Sequence, residues 1–211
     1  MRDSFKLIQE STEISSENLI GFKNEEEFNK TLLHLKNLID SSKSLVQNKF
    51  FTQSLFLTIT AIEEIAKIEV CIIRGFKKRE LSKRSKNPLF SHKSKHLMSE
   101  NPVILIGDRL QKSIGKERIN QIFTELQNGK FVEIRENCLY FQRNEKSLFL
   151  PNENIDNKLA FEMLLIAIEM VNDKFWGIMD VASLISDELN KNYPIIEKEM
   201  NKNYLQHLVQ N

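Results

Sequence analysis

Reactive side chains gather in three short stretches of this 211-residue chain. The first is Ala61-Ile62-Glu63-Glu64-Ile65-Ala66-Lys67, where two carboxylates and an ammonium interrupt an apolar run. Lys67 follows Glu63 by four residues and Glu64 by three, the spacing at which ion pairs form on one helix face. Surface pairing explains these residues without a function. The alternative is a carboxylate in a polar cavity, holding an Arg or Lys that contacts a substrate. The second stretch is Phe90-Ser91-His92-Lys93-Ser94-Lys95-His96. On a helix His92 and His96 share a face, as do Ser91 and Lys95. Two histidines four apart could bind zinc, but a site needs further ligands and no Cys/His cluster lies nearby. Two imidazoles among lysines suit a phosphate better; a solvated helix end is the plain alternative.

The third stretch is Arg135-Glu136-Asn137-Cys138-Leu139-Tyr140. In an unbroken helix Arg135 and Tyr140 would point about 140° apart, so joint action requires a bend between them. The chain holds 22 Lys against 8 Arg. An Arg in such a chain suits planar, bidentate binding of phosphate or carboxylate. A structural Arg135–Glu interaction explains it equally well.

The net charge is only +1, which excludes a uniformly basic nucleic-acid coat and an acidic disordered tail. Residues 74–98 nevertheless hold nine basic side chains against one acid, +8 net, leaving 21 basic against 28 acidic elsewhere. A basic segment on an acidic body favours a polyanion at one place, with a solvated lysine-rich loop as the alternative. Cys71 and Cys138 lie in apolar surroundings, as unpaired buried thiols do, so a reducing cytoplasm is expected. No run reaches the roughly 18 apolar residues of a membrane span, and the first residues lack a signal-peptide core.

Few Gly and Pro, 41% hydrophobic and 28% charged residues predict long helices around a substantial core. Residues 1–23, polar with scattered apolar positions, read as a short packed N-terminal arm, and 24–211 as one all-α domain. Asn24 caps a helix to about residue 48, with Glu27 reaching back and three acids at the positive end. An unusually apolar helix over 52–74 should be buried on several sides, and the short break before it makes the pair antiparallel. Helices are also predicted over 91–99, 103–114 and 116–128, then a small hairpin around 138–150. A long helix over 157–191, kinked at Gly177, and a final one starting at Pro194 complete the chain.

The ordered set Glu63 to Lys67, Phe90 to Lys95, Arg135 to Tyr140 and Pro151 before a long helix resembles the AbiV family. These are bacterial abortive-infection proteins of the HEPN superfamily, and the likeness spans roughly residues 25–190. The resemblance implies a HEPN-like helical bundle, commonly a homodimer with paired sites near the dimer axis. HEPN ribonucleases carry Arg, four to six residues, then His; here Arg135 fits, but Tyr140 stands where His is expected. In those enzymes the ribose 2′-hydroxyl attacks the neighbouring phosphate without a metal or other cofactor. Arg stabilises the developing charge and His assists proton transfer. A tyrosine, with an ordinary pKa of about 10, is a poor base at neutral pH. Cleavage would therefore need His92 or His96 as base, with Tyr140 at most positioning the phosphate. Glu63 or Glu64 could orient Arg135, while Lys67, Lys77, Lys78, Arg79, Lys93, Lys95 and His96 would contact RNA. The implied function is a phage-defence effector acting on RNA or the translation machinery, with a phage-encoded trigger. The alternatives are a non-catalytic dimer that blocks translation by occupancy and a purely helical regulatory protein.

Overall fold

The computed structural model describes residues 4–14, 21–75, 81–100 and 108–210. Its core is built by four long helices: α2 (Glu25–Gln47), α3 (Phe51–Arg74), α9 (Asn157–Phe175) and α10 (Asp180–Gln210). As expected, the Asn24 side chain accepts from the Glu27 amide at 2.9 Å, and Glu27 accepts from the Lys23 amide at 2.7 Å. Asn48 and Lys49, the latter at φ 64°, turn the chain back into α3. Small hydroxyl residues let the antiparallel pair approach closely. The Ser42 hydroxyl lies 2.8 Å from that of Ser54 and 2.6 Å from that of Thr58.

Helix α3 is the axis of the fold. Leu55, Ile59, Ile62 and Ile65 join the main core with α2, α9 and α10. Ala66 and Val70 belong to a second apolar cluster with Leu7 and Ile8 of α1 (Ser4–Glu13) and Leu97 and Met98 of α4 (His92–Ser99). A helix apolar around most of its circumference is thus covered on opposite sides, as its composition demands. The buried Arg74 guanidinium fastens α1 by donating from Nε and Nη2 to the Ser11 carbonyl, at 2.9 and 2.5 Å.

Shorter helices α5 (Asp108–Ile114), α6 (Lys116–Asn128) and α7 (Lys130–Asn137) pack beside this frame. The hairpin follows as β1 (Gln142–Arg143) antiparallel to β2 (Leu148–Phe149), then the single turn α8 (Pro151–Asn154). Residues 101–107, the start of the predicted 103–114 helix, lie outside the described residues.

Two boundaries differ from expectation. The 157–191 segment is not one kinked helix: α9 stops at Phe175, Gly177 takes φ 83°, and α10 folds back along α9. Pro194 does not start a helix but lies inside α10, on an exposed position. Its missing N–H costs one helical hydrogen bond. The flanking core residues Leu189, Tyr193, Ile196 and Met200 carry the helix through.

Gly129 links α6 to α7 in the left-handed region, at φ 80°, and a Cβ there would lie 2.9 Å from the Lys93 Cδ. Gly129→Ala is therefore expected to destabilise the protein by about 1–2 kcal/mol, read from urea denaturation. The displaced Lys93 stem is flexible, so backbone strain dominates.

Candidate functional site

Glu63 is the hub of the site. Its side chain, in the middle of α3, is almost fully buried, yet four cationic or imidazole groups surround it. The His92 Nδ1 lies 2.8 Å from both carboxylate oxygens, and the Lys95 ammonium donates to Oε2 at 2.5 Å. The His96 Nε2 is 3.1 Å from Oε1, and the Arg135 Nε is 3.8 Å from the same oxygen.

Helix α4 delivers three of these groups because residues 92, 95 and 96 share one face at i, i+3 and i+4. Ser91 caps that helix by accepting from the Ser94 amide at 3.3 Å. Packing of Leu97 and Met98 against α1 and α3 turns the face inward. Arg135 comes from α7, whose buried Phe131 anchors it to the main core.

Burial alone would raise the Glu63 pKa, but hydrogen bonds from His96 and Lys95 outweigh it and bring the value to about 2. The ionised carboxylate can only accept, so protons sit on His92 Nδ1 and His96 Nε2. His96 Nδ1 is buried without a hydrogen-bond partner among the described residues. His92 differs: its side chain is 38% exposed, and its Nε2 makes no hydrogen bond among the described residues. Burial pulls the Lys95 ammonium below the ordinary lysine range, with Glu63 opposing.

Arg135 is held without being saturated. Its Cζ stands 4.7 Å from the Phe56 ring centroid, and its buried Nε has no hydrogen-bond partner among the described residues. Lys95 and Arg135 bring two positive charges against the single charge of Glu63. Before any histidine is protonated, the cluster is one charge positive.

Other candidates fall elsewhere. Glu64 pairs with Lys67 along α3, the surface-pair arrangement allowed by their spacing. Lys93 is exposed beside Gly129. Tyr140 lies past the end of α7, 62% exposed, with no side-chain contact to the cluster among the described residues. Lys77, Lys78 and Arg79 lie outside the described residues. The basic segment is not simply a solvated loop, because Arg74 and Lys95 are buried. Cys71 and Cys138 are free and buried, and burial pushes the Cys138 thiol up to about 12. Phe56 escaped sequence reading because it looked like one more core residue; its position seven before Glu63, two turns along the same face, was the available signal.

Among the described residues no group of three or more His, Cys, Asp or Glu is arranged to hold a metal ion. None of their helices is long and apolar enough to cross a membrane.

Among the described residues the chain is a helical bundle with one two-stranded hairpin and this polar cluster between its helices, an all-α architecture. The AbiV family model matches residues 25–172, and the chain belongs to that family. The matched region contains every member of the cluster. Membership places the chain among abortive-infection, phage-defence proteins. No curated protein and no solved structure matches it.

Proposed function

We propose that this chain is a phage-defence effector that acts on RNA by metal-independent cleavage, working as a homodimer set off by a phage-encoded trigger. The observation that carries the reading is the Glu63–His92 contact, with Arg135 beside the same carboxylate. A carboxylate that accepts a hydrogen bond from Nδ1–H fixes the imidazole tautomer and leaves Nε2 outward as a base. This supplies the proton acceptor that Tyr140 cannot.

In this reading a phosphodiester sits against Arg135, whose positive charge complements its single negative one. His92 Nε2 takes the 2′-hydroxyl proton as that oxygen attacks the adjacent phosphorus. The bond to the 5′ oxygen breaks, and that oxygen takes a proton from the imidazolium or from solvent. The products are a 2′,3′-cyclic phosphate and a 5′-hydroxyl, with no water consumed. Arg135 stabilises charge on the phosphorane-like transition state. Glu63 is a positioning residue, since its buried oxygens are occupied by protein donors.

The test is purified protein incubated with total RNA in EDTA, alone and with phage lysate. Fragments ending in 2′,3′-cyclic phosphate are the expected result. RNA intact under every condition would remove the nuclease reading. A second reading, occupancy of a phage or host protein without cleavage, draws on exposed Leu139, Tyr140, Phe141 and Leu148 around the hairpin. Exposed apolar side chains grouped in this way commonly mark an interaction surface. It predicts protection from phage with no change in RNA ends.

A further inference from the structure

Most other arginines in the interior are committed to protein acceptors. Arg74 donates to the Ser11 carbonyl, Arg118 to Glu162, and Arg109 to Glu169 and Asn190. Arg135 donates no hydrogen bond among the described residues, although its side chain is only 19% exposed and its Nε is buried. An unsaturated donor in such a position is costly unless something else holds it or a ligand completes it. What holds it is a ring: the guanidinium carbon lies 4.7 Å from the centroid of Phe56.

We infer that Phe56 is a positioning residue that sets the plane of the Arg135 guanidinium so its fork receives one phosphate in bidentate fashion. The inference rests on the RNA reading above and adds a residue to it. A ring suits this task better than a carboxylate. A glutamate paired with the fork would take the same N–H groups that phosphate needs and would cancel the charge. The aromatic face attracts the cation while leaving the in-plane donors free. Glu63 contributes the second restraint, at 3.8 Å from Nε, close enough for charge attraction and too far for a hydrogen bond. Phe56 and Glu63 lie two turns apart on α3, so one rigid helix presents both.

The bland account of Phe56 is core packing, since its partly buried ring also touches the main apolar cluster. Two substitutions separate the accounts. Phe56→Leu keeps an apolar side chain but loses the ring, whereas Phe56→Tyr keeps the ring. The probe is inorganic phosphate, titrated against the Nε–Hε NMR signal of Arg135 in the full chain. KM and kcat for RNA and the melting temperature are measured alongside. Phe56→Leu is expected to weaken phosphate binding about three- to tenfold, the scale of one cation–π contact. Phe56→Tyr should restore wild-type binding, with both variants melting near the wild type. Wild-type titration by Phe56→Leu, or equal weakening in Phe56→Tyr, overturns the inference. An Arg135 Nε–Hε signal that does not move with phosphate in the wild type would instead sink the underlying RNA-site reading. The two failures are therefore told apart.

Discussion

His92→Ala should lower RNA cleavage by about 100- to 10,000-fold, the usual contribution of a general base, while leaving the fold intact. The imidazole is more than a third exposed, and the methyl group left behind opens no cavity in the core. Glu63 loses one of four neighbours and keeps the Lys95 and His96 hydrogen bonds. Arg135→Ala should have a comparable effect on rate, about 100- to 1,000-fold, because it removes a donor aimed at developing charge. Tyr140→Phe should be nearly silent in the same assay, since the hydroxyl is exposed and remote from the carboxylate in contacts. Counting 2′,3′-cyclic ends per unit time, with melting curves as the folding control, checks all three. Equal activity in wild type and His92→Ala would shift the base to another group and remove the dyad from the mechanism.

The largest stability effect is expected at Glu63. Glu63→Ala leaves Lys95, His96 and Arg135 facing one another without their shared acceptor. Removing one partner of a buried ionic arrangement costs about 3–5 kcal/mol, enough to unfold a domain of ordinary stability. Glu63→Gln keeps the shape and should cost less, because one amide oxygen still accepts. The effect depends on pH in a defined direction. The folded pKa of about 2 lies below the ordinary glutamate value of 4.5, so this contribution is fully present above about 4.5 and disappears as pH falls through 2. The span corresponds to about 3 kcal/mol. Urea denaturation between pH 2 and 6 should show a shallower acid slope for Glu63→Gln than for the wild type, because the other carboxylates titrate in both. Parallel slopes would mean that Glu63 does not hold its partners as described.

Much of the frame was legible because helical spacing is a local property. Asn24, the three following acids and the apolar run of α3 announced their helices, and the hairpin followed from two apolar clusters flanking Arg143–Lys146. The break after Phe175 and the passage of α10 through Pro194 were not legible. One glycine at positive φ reverses the chain, whereas one proline is tolerated where flanking core contacts offset the lost hydrogen bond. Local propensity does not rank those two outcomes; packing does.

At the site the same division holds. The chemical inventory, carboxylates on α3, imidazoles and lysines on α4 and a lone arginine on α7, was written in residue types and spacing. The amino-acid order also fixed that residues 92, 95 and 96 share a face. It did not fix which way that face looks. Docking of α4 between α1 and α3 turned Lys95 inward and left Lys93 in solvent, selected Glu63 over Glu64, and set Arg135 on Phe56 while Tyr140 stayed outside. Those choices depend on contacts between residues tens of positions apart, whose free energy exists only once the helices have packed.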